Sequence, residues 1–132
     1  MNLKLDQIDH VHVNVASWSE AEQWYQEVLG FKRVERLMPW AIKNGPLTIE
    51  DQTGKIHLAL FESDAPENIS AIAFGASAAQ FMAWKEHLES HGLKLRLTDH
   101  TLAYSLYFRD PWRNLYEITT YERDAVAEQF EK

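Results

Sequence analysis

Near its start the chain reads IDHVHVNV, residues 8–15, and from residue 10 onward aliphatic and polar side chains alternate. Valines occupy the odd positions, and the even positions carry His10, His12 and Asn14. Successive side chains of a strand point to opposite faces of a sheet. The stretch therefore predicts a strand with an aliphatic face for the core and a polar face that carries two imidazoles and an amide.

The composition is that of an ordinary globular protein. The 132 residues are 45% hydrophobic and 25% charged, which allows one compact domain or two small modules sharing a core. The net charge of −7 argues against nucleic acid and anionic membranes as partners, because both attract basic surfaces. The absence of cysteine excludes disulfides and thiolate metal sites. With no membrane-spanning apolar run and no secretory signal, we expect a cytoplasmic protein.

The same order of secondary-structure signals occurs twice along the chain. After the first strand, residues 17–31 predict a helix capped by Ser17 or Ser19 and stopped at Gly30. Three predicted strands follow, FKRVERLM, WAIKNGPLTIED and KIHLALFE, with an Asn-Gly-Pro turn inside the middle one. The second copy has ISAIAFG as a strand, SAAQFMAWKEHLESHG as a helix, and LKLRLTD, AYSLYFRD and LYEITTYE as strands.

This repeat predicts an α+β fold made of two tandem βαβββ modules. We expect a single domain over residues 1–132, divided into module one at 6–62, a linker at 63–68, module two at 69–121 and a polar tail at 122–132. The tail is predicted to form a short surface helix.

The two βαβββ units resemble the vicinal oxygen chelate superfamily, which includes glyoxalase I, fosfomycin-resistance transferases, extradiol dioxygenases and bleomycin-binding proteins. The resemblance is carried by IDHVHVNVASWSEAEQWYQEVLGFKRVE at the front and YFRDPWRNLYEI at the back, and it extends to about Tyr121. It implies curled mixed sheets around a cavity, with metal ligands projecting inward from the first and last strands of the modules.

Carried over by position, the resemblance implies that His10, His57 and Glu117 are metal ligands. His57 stands where glyoxalase I-like members carry a glutamate. Ala71 occupies a fourth place, where metal-dependent members usually have histidine. Two imidazoles and a carboxylate suit one divalent ion, Fe(II), Mn, Ni or Zn, and leave positions open for substrate or water.

Strand parity supports this ligand set independently of the resemblance. In KIHLALFE the leucines alternate with His57, and in LYEITTYE Glu117 points away from Tyr116 and Ile118. Other interpretations stay open: an isolated histidine in an apolar strand is usually a hydrogen-bonded core residue. A carboxylate at the middle of a strand needs a cation or donors, which Arg113 or a lysine could supply without a metal.

The resemblance implies a metal-dependent enzyme that acts on a small, oxygen-rich substrate able to chelate the metal. Lyase, transferase and dioxygenase chemistry all remain open. Glu117 is the predicted catalytic residue, as a ligand that can also transfer a proton. The predicted substrate-binding residues are His12, Asn14, Trp40, Phe61, His100, Tyr104 and Tyr107. The spacing of His87 and His91 could bind zinc, but we interpret both as solvent-facing.

The alternative is a metal-free protein that binds a small molecule or drug, like the bleomycin-resistance members. Ala71 and the acidic charge favour this alternative, and the set of three possible ligands disfavours it. Small two-module members of the superfamily commonly dimerise, so we expect a homodimer. In that arrangement His10 and His57 would come from one subunit and Glu117 from the other.

Overall fold

The computed structural model describes residues 2–64 and 70–131, and the chain divides into two compact units, 1–66 and 67–132. The first unit contains β1 Val11–Val15, β2 Lys32–Arg33, β3 Leu47–Glu50 and β4 His57–Glu62. The second contains β5 Ala71–Gly75, β6 Arg96–Asp99, β7 Tyr104–Arg109 and β8 Leu115–Thr120. The helices are α1 Trp18–Trp24, α2 Ala78–Ser90 and α3 Arg123–Phe130.

Each unit forms one four-stranded mixed sheet, with the strand orders β1-β4-β3-β2 and β5-β8-β7-β6. The outer strands β1 and β5 run parallel to β4 and β8, and the remaining pairs are antiparallel. The predicted α+β class with two βαβββ modules is confirmed. Of the predicted linker at 63–68, residues 65–68 lie outside the described part of the chain.

Serine caps begin the first helix of each module. The hydroxyl of Ser17 accepts a hydrogen bond from the Glu20 amide at 3.4 Å, and Ser77 accepts one from Gln80 at 3.2 Å. A π-helical turn at Tyr25–Leu29 extends α1. The chain then leaves the helix at Gly30, whose φ of 75° is easily reached only by glycine.

The aliphatic faces of the sheets form the two cores. In the first unit Val13, Leu58 and Leu60 are at most 2% exposed, and they are buried together with Ala21 and Tyr25 of the first helical segment. The Trp18 indole fixes this packing by donating to the Leu60 carbonyl at 2.8 Å.

In the second unit the fully buried side chains include Leu106, Tyr116, Phe81 and Leu88. Burying a large apolar side chain contributes about 1.5–3 kcal/mol, so alternation along each strand decides which face is covered.

The predicted strand FKRVERLM is mostly wrong. Only Lys32–Arg33 pair with β3, and residues Glu35–Trp40 form a 3-10 helix. Pro39 lies inside this helix, and proline has no amide hydrogen with which to continue a ladder. The first strand is also shorter than predicted, since it begins at Val11 rather than at Ile8.

The polar tail forms a helix, α3, but its contacts differ from those of a simple surface helix. Val126 and Ala127 are buried, and the Phe130 ring lies 5.4 Å from the ring of Tyr104. The tail is therefore packed onto the second unit. In the part of the chain that is described, no helix has the length and apolar character needed to cross a membrane.

Candidate metal-binding site

Each sheet has a polar face opposite its aliphatic core. In the first unit this histidine face consists of His10, His12, Asn14, Thr48, Glu50, His57, Ala59 and Phe61, placed by alternation and register. In the second unit the glutamate face consists of Ala71, Ala73, Ser105, Tyr107, Arg109, Leu115, Glu117 and Thr119. The candidate ligands lie on these two faces.

His10 uses both of its ring nitrogens. Its Nδ1 lies 2.8 Å from Oδ2 of Asp9, and its Nε2 lies 3.1 Å from Nε2 of His12. The hydrogen bond from His10 lowers the pKa of the Asp9 carboxyl, which therefore stays ionised at neutral pH. An ionised carboxylate only accepts hydrogen bonds, so the Nδ1 of His10 carries the hydrogen. In the neutral ring Nε2 is then the atom with a free electron pair.

His57, like His10, has a carboxylate partner. Its Nε2 lies 3.1 Å from Oε2 of Glu50, and the two side chains are 17% and 24% exposed. Because a carboxylate accepts, this nitrogen carries the hydrogen, and in the neutral ring the free electron pair is on Nδ1. The structure thus places His57 on the histidine face but turns its Nε2 toward Glu50.

Glu117 is held by donors from the neighbouring strand. The hydroxyl of Ser105, which is fully buried, lies 2.7 Å from Oε2 of Glu117 and 3.0 Å from Oγ1 of Thr119. Tyr107 faces Glu117 directly in the β7–β8 ladder. Burial and the charge of Glu117 raise the pKa of the Tyr107 hydroxyl, which keeps it protonated and able to donate.

Two further side chains contact Tyr107. Nε2 of His100 lies 2.9 Å from its hydroxyl, and the guanidinium carbon of Arg96 lies 4.3 Å above the centre of its ring. A cation in this position is attracted by the electron-rich ring face. The structure therefore brings the predicted residues His100 and Tyr107 together beside Glu117 and adds an arginine.

The other predicted binding residues of the two sheets lie on different faces. Asn14 and Phe61 are partners in the β1–β4 register, and the Phe61 ring lies 4.7 Å from that of His12. Tyr104 is on the opposite side of its sheet from Glu117, where its ring packs against Phe81 and Phe130 at 6.1 and 5.4 Å.

Trp40 belongs to the 3-10 helix rather than to a sheet face, and it is 58% exposed. His87 and His91 are exposed on and just after α2, as predicted. Among residues 2–64 and 70–131, no three His, Asp or Glu side chains are grouped so that they could hold a metal ion.

Sequence reasoning did not identify Glu50 and Ser105 as parts of these faces, or Asp9 and Arg96 as residues that contact them. Glu50 and Ser105 carried a usable signal, since each alternates with buried apolar neighbours in its strand. Their pairing with His57 and Glu117 depends on the β3–β4 and β7–β8 registers, which the turns set.

Comparison with known proteins gives a consistent picture of the fold. Residues 7–118 match the family model described as Glyoxalase/Bleomycin resistance protein/Dioxygenase superfamily. No curated protein matches the chain significantly in sequence.

Three solved structures illustrate the fold. An integron cassette protein from the mobile metagenome of the Halifax Harbour sewage outfall superposes with a TM-score of 0.74, at 22% identity over 88% of this chain and 99% of that one. The fosfomycin resistance protein FosX from Listeria monocytogenes, complexed with Mn(II) and sulfate, gives 0.70 at 12% identity over 96% and 99%. Lactoylglutathione lyase from Agrobacterium tumefaciens gives 0.68 at 22% identity over 88% and 94%.

Proposed function

Because the chain belongs to the glyoxalase/bleomycin resistance protein/dioxygenase superfamily, we propose that it is a metal-dependent enzyme that acts on a small, oxygen-rich substrate. The observation that carries the proposal is the Asp9–His10 pair. A carboxylate that accepts from one ring nitrogen fixes the tautomer and the orientation of the ring, and histidines that bind metals nearly always have such a partner. Asp9 leaves the electron pair on Nε2 of His10, so this histidine could bind a divalent ion.

In this proposal His10 and Glu117 are metal ligands, and His57 as a further ligand stays a sequence prediction. A bound divalent ion would supply Lewis-acid stabilisation of negative charge on a substrate oxygen. Glu117 would transfer a proton, with Ser105 holding one of its carboxylate oxygens at 2.7 Å. Tyr107 and His100 would contact the substrate through their polar groups.

The choice of metal follows from the donors and from one relative. Imidazole and carboxylate groups bind Fe(II), Mn, Ni and Zn. The Listeria FosX was solved with Mn(II), so manganese is the first ion to test.

The test is metal binding by the purified protein. After treatment with a chelator, the protein is mixed with each of the four ions, and affinity is measured by calorimetry and by the shift in Tm. We expect one ion per chain for the wild type. Both His10→Ala and Glu117→Gln should lose more affinity than the roughly 10- to 100-fold that is typical when only a hydrogen-bond partner of a ligand is removed.

A double variant, His87→Ala with His91→Ala, is the control for binding by surface histidines and should leave the affinity unchanged. If none of the four ions binds the wild type, the enzyme proposal is wrong. The alternative, a metal-free protein that binds a small molecule, would then be the better explanation.

We also propose that the protein forms a homodimer, as the superfamily resemblance implies. Light scattering at micromolar concentration should give twice the chain mass of 15.4 kDa. A monomer under these conditions would exclude any site that needs residues from two subunits.

A further inference from the structure

His12 of β1 and His10, which lies just before this strand, are arranged as a pair that could hold one ion. His10 and His12 are two residues apart on the same side of the strand, and their Nε2 atoms are 3.1 Å apart. Their ring centres are further apart, at 5.0 Å, so the rings approach each other at their Nε2 edges. Two nitrogens at about 2.0–2.1 Å from one metal, at tetrahedral or right angles, would be about 2.8–3.4 Å apart. The observed separation falls in that range.

Hydrogen positions show which nitrogen of each histidine can bind a metal. Asp9 holds the hydrogen of His10 on Nδ1 and leaves an electron pair on Nε2. His12 can offer its own Nε2 in the same way by moving its hydrogen to Nδ1. In neutral His57 the hydrogen is on Nε2, 3.1 Å from Glu50, and the free electron pair is on Nδ1, so only Nδ1 could bind a metal while this hydrogen bond is kept.

The registers of the two modules give an independent argument. β4 and β8 are both six residues long, and aligning them from their first residues places Ala59 at the position of Glu117 and His57 at that of Leu115. The parallel partner of Ala59 is His12, and the parallel partner of Glu117 is Ala73. The pair in module one that corresponds to Ala73 and Glu117 is therefore His12 and Ala59. His57 lies two residues before Ala59 on the same face of β4.

We propose that His12, together with His10, chelates the metal ion, and that His57 is held by Glu50 and is not a ligand. The inference rests on the proposed function, because it assigns a residue to the metal of that same site.

The experiment compares two glutamine variants, His12→Gln and His57→Gln. Glutamine keeps an amide that can hydrogen-bond to His10 or donate to Glu50, but it is a poor metal ligand. Affinity for Zn and Mn is measured by calorimetry, and zinc-edge X-ray absorption counts the imidazoles bound to zinc. Far-UV circular dichroism and Tm of the metal-free variants check that both are folded.

We expect His12→Gln to weaken metal binding by at least about 10-fold and to remove one imidazole from the zinc shell, while His57→Gln changes affinity by less than about 3-fold. Wild-type affinity in His12→Gln would show that the two rings are only hydrogen-bonded, and would overturn the proposal. Loss of metal in His57→Gln alone would also overturn it and support His57 as the ligand. No metal binding by the wild type would refute the proposed function itself, and this inference with it.

Discussion

The two modules have the same backbone plan but different polar faces. Val11 pairs with Leu58 in module one as Ile72 pairs with Tyr116 in module two, so the two sheets have corresponding registers. Apolar residues occupy the core-facing positions of both strands, whereas the other face carries His12 in β1, with His10 just before the strand, and Ala71 and Ala73 in β5. The difference shows that every second residue of these strands specifies the fold by packing into the core. The residues between them can vary and can serve a function.

The turns before β4 and β8 have similar backbone structures in the two modules. Each begins with an aspartate whose carboxylate accepts amides of the turn, Asp51 in module one and Asp110 in module two. Three residues later each has a left-handed residue, Gly54 at φ 73° and Arg113 at φ 70°. The first turn is partly exposed, with Asp51 half-buried, whereas Asp110 is only 4% exposed.

The largest expected effect is therefore the loss of the buried aspartate. Asp110 accepts hydrogen bonds from the Trp112 amide and from the backbone and side-chain nitrogens of Asn114, at 2.8–2.9 Å. Asp110→Ala leaves donors buried without partners and should lower the free energy of unfolding by about 3 kcal/mol. Asp51→Ala, whose donors can reach water, should cost about 1–2 kcal/mol.

Urea unfolding of both variants measures this difference. Equal losses would mean that the two aspartates stabilise the fold to the same extent, and that burial does not determine the effect of removing the aspartate. Asp64→Ala is the control for the loss of one negative charge, because Asp64 is exposed and lies outside any helix or strand.

The comparison also shows which parts of the fold follow from sequence. Alternation predicted β1, β4 and β8 and the faces on which His10, His57 and Glu117 lie, because burial of valine and leucine fixes the parity. It did not predict the 3-10 helix at Glu35–Trp40. In the sequence, the apolar residues before Pro39 indicate a strand instead.

The candidate site was only partly predictable for a related reason. Parity places His57 on the correct face, but it does not say which neighbour the ring will contact. That depends on the register that sets Glu50 beside His57 in the β3–β4 ladder. Likewise, the choice between His12 and His57 as a ligand depends on which residue of β1 pairs with which residue of β4. Alternation along a single strand does not predict that pairing.

An intermediate effect is expected when the left-handed residues of the two turns are exchanged. Gly54→Arg forces a side chain into a conformation that costs about 1–2 kcal/mol, and its Cβ would meet Glu50 only at an ordinary 3.7 Å. Arg113→Gly removes the same strain and should raise the free energy of unfolding by about 0.5–1 kcal/mol, reduced by the extra chain entropy of glycine. Opposite signs in urea unfolding support the equivalence of the turns, and destabilisation by both variants would contradict it.

The smallest expected effect concerns an ion pair at the outer strand of module two. Arg123 of α3 binds the carboxylate of Asp99 on β6 and lies 3.0 Å from Asp124. The guanidinium lowers the pKa of Asp99 from 3.8 to about 2. A lowered folded-state pKa stabilises the fold above the unfolded value, and this contribution is lost as the pH falls toward the folded value.

Arg123→Gln should therefore lower Tm by no more than a few degrees at pH 5–7, because exposed ion pairs contribute little. The difference from wild type should shrink between about pH 4 and pH 2, where Asp99 becomes protonated in both proteins. Lys55→Gln removes the same charge from an exposed residue of module one and should show no such change with pH. Thermal unfolding from pH 2 to pH 7 measures all three proteins, and a wild-type advantage that persists undiminished at pH 2 would show that Arg123 acts through packing of its stem rather than through Asp99.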